Sequence, residues 1–134
     1  AGISEWKRFL KPGGMLVVSE LTWFSAARPA ELEAYWAREY PEVDTASAKL
    51  RVLERHGYAP IAYFALPAHC WTEQYYRPMQ DGFADFLRRN EDSEEARATV
   101  RAEEQEIALY ARYAEYYGYG VYIARLLDDR PAPA

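Results

Sequence analysis

Leu10-Lys11-Pro12-Gly13-Gly14-Met15-Leu16-Val17-Val18-Ser19-Glu20 is the stretch on which the fold turns. A proline followed by two glycines cannot continue a helix, so Lys11-Pro12-Gly13-Gly14 stops whatever precedes it. The apolar run Met15-Leu16-Val17-Val18 is too short for a helix and suits a strand covered on both faces. Ser19 and Glu20 are expected to end that strand. Upstream, Ile3, Trp6 and Leu10 recur at i, i+3 and i+7, which is one face of a helix.

Downstream the pattern alternates. Pro29 suits a first helical turn, Glu31 and Glu33 favour its positive end, and Leu32, Tyr35, Trp36 and Tyr40 share one face before Pro41. Thr45 can cap a second helix with a stripe of Ala46, Leu50 and Leu53, closed by Gly57 in the left-handed conformation. Ile61 to Leu66 reads as another buried strand. Thr72 can cap a short turn carrying Tyr75 and Tyr76, and Pro78 opens a helix striped by Met79, Phe83, Phe86 and Leu87. From Ser93 a long helix with an acidic first turn is predicted to bury Val100, Ile107, Tyr110, Ala114 and Tyr117 and to end at Gly118. Gly120 to Leu126 is the last strand, and residues 128–134 read as a disordered tail. The sum is an α/β domain over residues 1–127 with three strands, a small sheet for so many helices.

The chain has 134 residues, enough for one core, and no internal repeat or linker divides it. Its net charge is -5 and its basic residues are scattered, which argues against nucleic acid as a partner. Cys70 is the only cysteine, so neither an intrachain disulfide nor a zinc site of several thiolates can form. No apolar stretch approaches the roughly 20 residues that span a bilayer, so a soluble, cytoplasmic protein without membrane contact is expected. The sequence opens at Ala1 inside a helical pattern, which leads us to expect that function lies partly outside it.

Trp6-Lys7-Arg8-Phe9-Leu10-Lys11-Pro12-Gly13-Gly14 and the apolar run after it resemble the approach to the fifth strand of class I S-adenosylmethionine-dependent methyltransferases. Ser19-Glu20-Leu21-Thr22-Trp23-Phe24, Arg28-Pro29-Ala30-Glu31, Leu66-Pro67, Cys70-Trp71-Thr72-Glu73-Gln74-Tyr75-Tyr76 and Tyr116-Tyr117-Gly118-Tyr119 look like a bacterial small-molecule subgroup of that family. The resemblance implies the C-terminal part of a Rossmann-like sheet, with the last strand antiparallel between the two before it. It also implies S-adenosylmethionine as the cofactor of a longer parent, whose glycine-rich loop and ribose-gripping acid find no match here. The isolated chain is therefore expected neither to bind the cofactor nor to be active.

Open α/β sheets place ligands beyond the C-terminal ends of their strands. On that ground Glu20 is the candidate catalytic base, and Ser19, Trp23, His69, Trp71, Tyr75 and Tyr76 are the candidate substrate-binding residues for a small-molecule methyl acceptor. The two segments are expected to converge. Each has a plainer use: Glu20 as a turn cap, Trp23, Trp71, Tyr75 and Tyr76 as core mass, and Tyr116 and Tyr117 as packing or interface. His69 could shuttle a proton, but adjacent His69 and Cys70 with Glu73 make a poor metal set, so no metal is expected. Glu91-Asp92, Glu94-Glu95, Glu103-Glu104 and Glu106 read as a solvated helix surface. Without a sheet neighbour, Met15 to Ser19 leaves an open edge, which predicts a homo-oligomer joined there. The alternative function is a non-catalytic domain that binds small molecules or serves assembly.

Overall fold

The computed structural model describes residues 2–127; Ala1 and the expected tail, residues 128–134, lie outside the described residues. The elements in chain order are α1 (Gly2–Trp6), β1 (Met15–Trp23), α2 (Ala30–Glu39), β2 (Asp44–Thr45), α3 (Ala46–Arg55), β3 (Tyr58–Ala65), α4 (Ala68–Trp71), α5 (Arg77–Arg89), α6 (Glu94–Tyr113) and β4 (Tyr117–Leu126). A 3-10 turn, Lys7–Phe9, follows α1, and a π-helical turn, Thr72–Tyr76, joins α4 to α5.

The local signals work where a single residue decides. Thr45 and Ser93 cap α3 and α6, their side chains accepting from the amides of Ala48 and Ala96. Gly57 adopts φ +78° after α3. The strand limits differ from expectation because pairing overrides composition. β4 pairs with β1 along its whole length, from Met15 opposite Arg125 to Trp23 opposite Tyr117, so Ser19 and Glu20 continue the strand instead of ending it. Likewise α6 stops at Tyr113, and Tyr117 and Gly118 open β4. β3 begins at Tyr58, and it is not buried as expected: Ile61 and Phe64 are exposed.

The sheet order is β2-β1-β4-β3. β4 runs antiparallel between β1 and β3, as the resemblance implied, and a two-residue fourth strand, β2, pairs parallel with Thr22 and Trp23. Side chains alternate between two faces. On the first, Leu16, Val18, Tyr58, Tyr122 and Ala124 pack with Ile3, Leu10, Leu50 and Leu53 of α1, α3 and their flanks. On the second, Leu21, Trp23 and Tyr117 pack with Leu32 and Trp36 of α2, Tyr76, and Leu109 and Tyr110 of α6. Gly120 is required by contact: a Cβ there would lie 2.6 Å from Thr22 Oγ1 and 2.7 Å from the Tyr63 ring.

Beyond β1 the sheet has an incomplete border. β2 meets only Thr22 and Trp23, and among the described residues no strand lies along Met15–Leu21 on that side. Met15 and Val17 are 48% and 62% exposed. Among the described residues no helix is long and apolar enough to cross a membrane.

Candidate functional site

Glu20 lies near the C-terminal end of β1, on the first face with Val18 and Thr22. Two segments close on its carboxylate. Tyr40, the residue that ends α2, donates its hydroxyl to Glu20 Oε2 at 2.9 Å. Lys49, in α3, places Nζ 3.5 Å from the same oxygen and donates to the carbonyl of Glu42 at 3.0 Å. The Lys49 side chain is mostly covered, whereas the Glu20 side chain keeps 39% of its surface accessible. Burial, then the hydrogen bond to Glu20, pushes the Tyr40 hydroxyl well above the usual phenol range, so it stays a donor at neutral pH.

Glu20 and Lys49 border a cavity of about 560 Å³. Glu20, Glu42, Asp44, Lys49 and His56 supply its polar wall, and Ile3, Trp6, Val18, Val52, Leu53 and Tyr122 its apolar one. A space of that size lined mainly by apolar side chains with a few convergent polar groups is what small-molecule sites look like. A second, smaller cavity of about 250 Å³ is lined by Trp23, Trp36, Tyr40 and Val43, and the Tyr40 hydroxyl links it to Glu20 at the wall of the first. Arg28 closes one side of it, its guanidinium 4.7 Å over the Trp23 ring and bonded to Glu33 and the carbonyls of Ser25 and Ala26.

The second face holds an aromatic cluster. Trp71 stacks on Tyr75 with centroids 5.2 Å apart and touches Tyr76 at 5.4 Å and Tyr119 at 3.8 Å. The π-helical turn explains how one indole meets both tyrosines, because i→i+5 winding brings both i+4 and i+5 over residue i. Tyr76 is buried and donates to Glu106 Oε1 at 2.9 Å, while Tyr75 is 49% exposed. Burial raises the Glu106 carboxyl above its ordinary value despite that hydrogen bond, with Glu103 and Glu39 adding to the rise. Among the described residues, Trp71 Nε1, Trp36 Nε1 and the Tyr117 hydroxyl are buried without a hydrogen bond of ordinary geometry.

The candidate residues therefore fall into two groups. Trp71, Tyr75 and Tyr76 come together, and Trp23 joins them through Tyr117 at 6.0 Å and Tyr110 beyond it. Glu20 points to the opposite face of the sheet from Trp23 and Ser19, which is exposed beside Val17. His69 is exposed, with a ring nitrogen 3.6 Å from the Cys70 sulfur. Among the described residues no cluster of histidine, cysteine and carboxylate side chains could hold a metal ion.

Sequence reasoning misses Tyr40 and Lys49 as partners of Glu20, and Glu106 as the partner of Tyr76. Lys49 carries a weak signal, standing three residues after Ala46 and four before Leu53 on the buried stripe. Glu106 belongs to an acidic run whose pattern predicts a solvated surface; it is half-buried because Tyr76 and Tyr110 pack beside it.

Comparison with solved structures identifies the architecture. A SAM-dependent methyltransferase from Geobacter sulfurreducens in complex with S-adenosyl-L-homocysteine matches with TM-score 0.66 and 23% identity, over 91% of this chain and 49% of that one. One from Thiobacillus denitrificans, also in complex with S-adenosyl-L-homocysteine, gives 0.68 and 20%, over 91% and 50%. The cyclase SpnF gives 0.63 and 21%, over 93% and 43%. The chain has the Rossmann-like fold of class I SAM-dependent methyltransferases and spans about half the length of these neighbours. No family model matches the sequence, and no curated protein does.

Proposed function

We propose that this chain is the acceptor-side portion of an S-adenosylmethionine-dependent methyltransferase acting on a small molecule. The observation that carries the reading is the border of the sheet: among the described residues no strand lies along the outer side of β1 over Met15–Leu21, in a fold whose solved neighbours continue for about as many residues again. Binding of the donor is a separate matter, and the residues present do not fit it. The only paired glycines, Gly13 and Gly14, precede a strand, and their amides already donate to the carbonyls of Leu126 and Lys11. They have no free N–H groups to offer an anionic or carboxylate ligand.

What this chain contributes is orientation. Tyr40 and Lys49 fix the Glu20 carboxylate at the wall of the larger cavity, where it can accept a proton or a hydrogen bond from a polar acceptor atom. The apolar wall, Ile3, Val18 and Val52 among it, excludes water and holds an apolar body. Ser19, Trp23, His69, Trp71, Tyr75 and Tyr76 do not border that cavity, so in this reading they would serve a separate surface. The second reading is a non-catalytic domain that binds small molecules or serves assembly; the likeness to the cyclase SpnF says only that one fold serves more than methyl transfer.

Calorimetry of the chain with S-adenosylmethionine tests the acceptor-side reading. The acceptor-side reading expects no saturable heat; a dissociation constant in the micromolar range contradicts it. Amide resonances of Glu20, Tyr40 and Lys49 that shift on titration with small polar acceptors support the site, and acceptors that bind only elsewhere contradict it.

A further inference from the structure

α2 and α6 meet at two unlike ends. Glu31, in the first turn of α2, accepts from Arg112 at 3.2 Å and from the Tyr113 hydroxyl at 2.7 Å. Glu39, the last residue of α2, instead lies within electrostatic reach of Glu106, as does Glu103. The helices therefore run antiparallel, attracted at one end, packed through Leu32, Trp36, Leu109 and Tyr110, and set carboxylate against carboxylate at the other. The groups that act on Glu106 or feel it are Glu103 of α6, Tyr35 and Glu39 of α2, Tyr75 and Tyr76 of the π-helical turn, and Tyr117 and Tyr119 of β4. Arg38 pairs with Glu39 at 2.7 Å on the exposed side. Burial, with Glu106 and Glu39 adding, pushes the Tyr35 hydroxyl up to about 12, so it stays neutral where carboxylates titrate.

The element that yields under this charge is the end of α2. Its closing hydrogen bond runs from the Tyr40 amide to the Trp36 carbonyl at 2.8 Å, and Pro41 follows at once. The Glu39 carboxylate also sits at the negative end of the helix, where an anion is disfavoured. From there the Tyr40 hydroxyl reaches Glu20 Oε2 at 2.9 Å, so neighbouring residues answer to carboxylates on opposite faces of the sheet. We propose that this end of α2 is a pH-sensitive latch: ionisation of Glu106 loosens the turn beyond Trp36, and Tyr40 leaves Glu20, freeing Oε2 at the cavity wall. The sense follows from linkage. Burial and the two neighbouring carboxylates hold the Glu106 proton more tightly in the packed form, against the Tyr76 hydrogen bond, so the latch is closed at low pH and weakens as pH rises through the raised value. The inference goes beyond the acceptor-side reading, since the contact between Tyr40 and Glu20 is read in this chain alone, with no acceptor or cofactor.

Hydrogen exchange and tyrosine ring resonances of the 134-residue chain, followed from about pH 4 to about pH 8, test it. The expected result is one step above the ordinary glutamate value of about 4.3, in which the Tyr40 amide, corrected for intrinsic rate, exchanges at least about tenfold faster and the Tyr40 ring signals move. The Glu33 amide, bonded to the Pro29 carbonyl near the attracted end, keeps its protection. Glu106→Gln removes the step and leaves Tyr40 on Glu20 throughout. Glu39→Gln, at an exposed side chain, shrinks the step and moves it toward lower pH. A step that survives Glu106→Gln overturns the proposal, whether it then follows Glu20→Gln or His56→Gln. So does a Tyr40 amide equally protected across the range, a step that Glu39→Gln leaves unchanged, or one that the Glu33 amide shares, which would mean that the whole helix undocks. None of these outcomes bears on cofactor binding, which calorimetry reads separately.

Discussion

Thr22 and Glu106 show how single polar groups are satisfied beneath the sheet, and each yields a measurable expectation. Thr22 is fully buried, its hydroxyl 2.7 Å from that of Tyr122. Thr22→Val keeps the shape and leaves the buried Tyr122 hydroxyl without this partner, so it should cost about 1–3 kcal/mol in urea unfolding. A loss below about 0.5 kcal/mol would mean that the bond is not made. Glu106 behaves in the opposite sense. Burial raises its carboxyl, so folding favours the protonated form: that contribution is complete below the ordinary carboxylate range and is lost as pH rises through the raised value. Glu106→Gln keeps an acceptor for Tyr76 and removes the charge. It should raise the thermal midpoint at pH 7 and change little at pH 4; a midpoint lowered at both would show that the charge is not a burden. Glu20 is legible in sequence as a carboxylate near a strand end. Tyr40 and Lys49 are not, because they reach it across 20 and 29 residues of chain and no local pattern encodes such a meeting.

Among elements, those that end on a capping residue are the most readable. Thr45, Ser93 and Gly57 act through their own side chain or backbone, and the structure places them as their chemistry demands. Ser93→Ala removes the acceptor for Ala96 N and should cost about 1 kcal/mol, read by chemical denaturation; no loss would show that water replaces the cap. Strand limits are less readable, since β1 runs on to Trp23 only because β4 lies beside it. The π-helical turn is invisible for a related reason. Its winding is held by Trp71, Tyr76, Tyr110 and Tyr119, which meet only in the folded core.

For the whole molecule, the residue pattern foretells the α/β architecture, the family resemblance the antiparallel last strand, and the two together an open β1 edge from Met15 to Ser19; among the described residues no strand lies along that side from Met15 to Leu21. Neither reveals β2, whose two residues carry no strand pattern of their own. Among the described residues the outer side of β1 carries the exposed apolar side chains Met15 and Val17 and no strand. Hydrogen exchange of the amides in Met15–Leu21, followed across protein concentration, reads that fact most directly. The account expects the amides that do not donate to β4 to exchange rapidly in dilute solution and to gain protection only when another strand is supplied. Slow exchange of all of them at every dilution would mean that the chain covers this border itself, and would contradict the account.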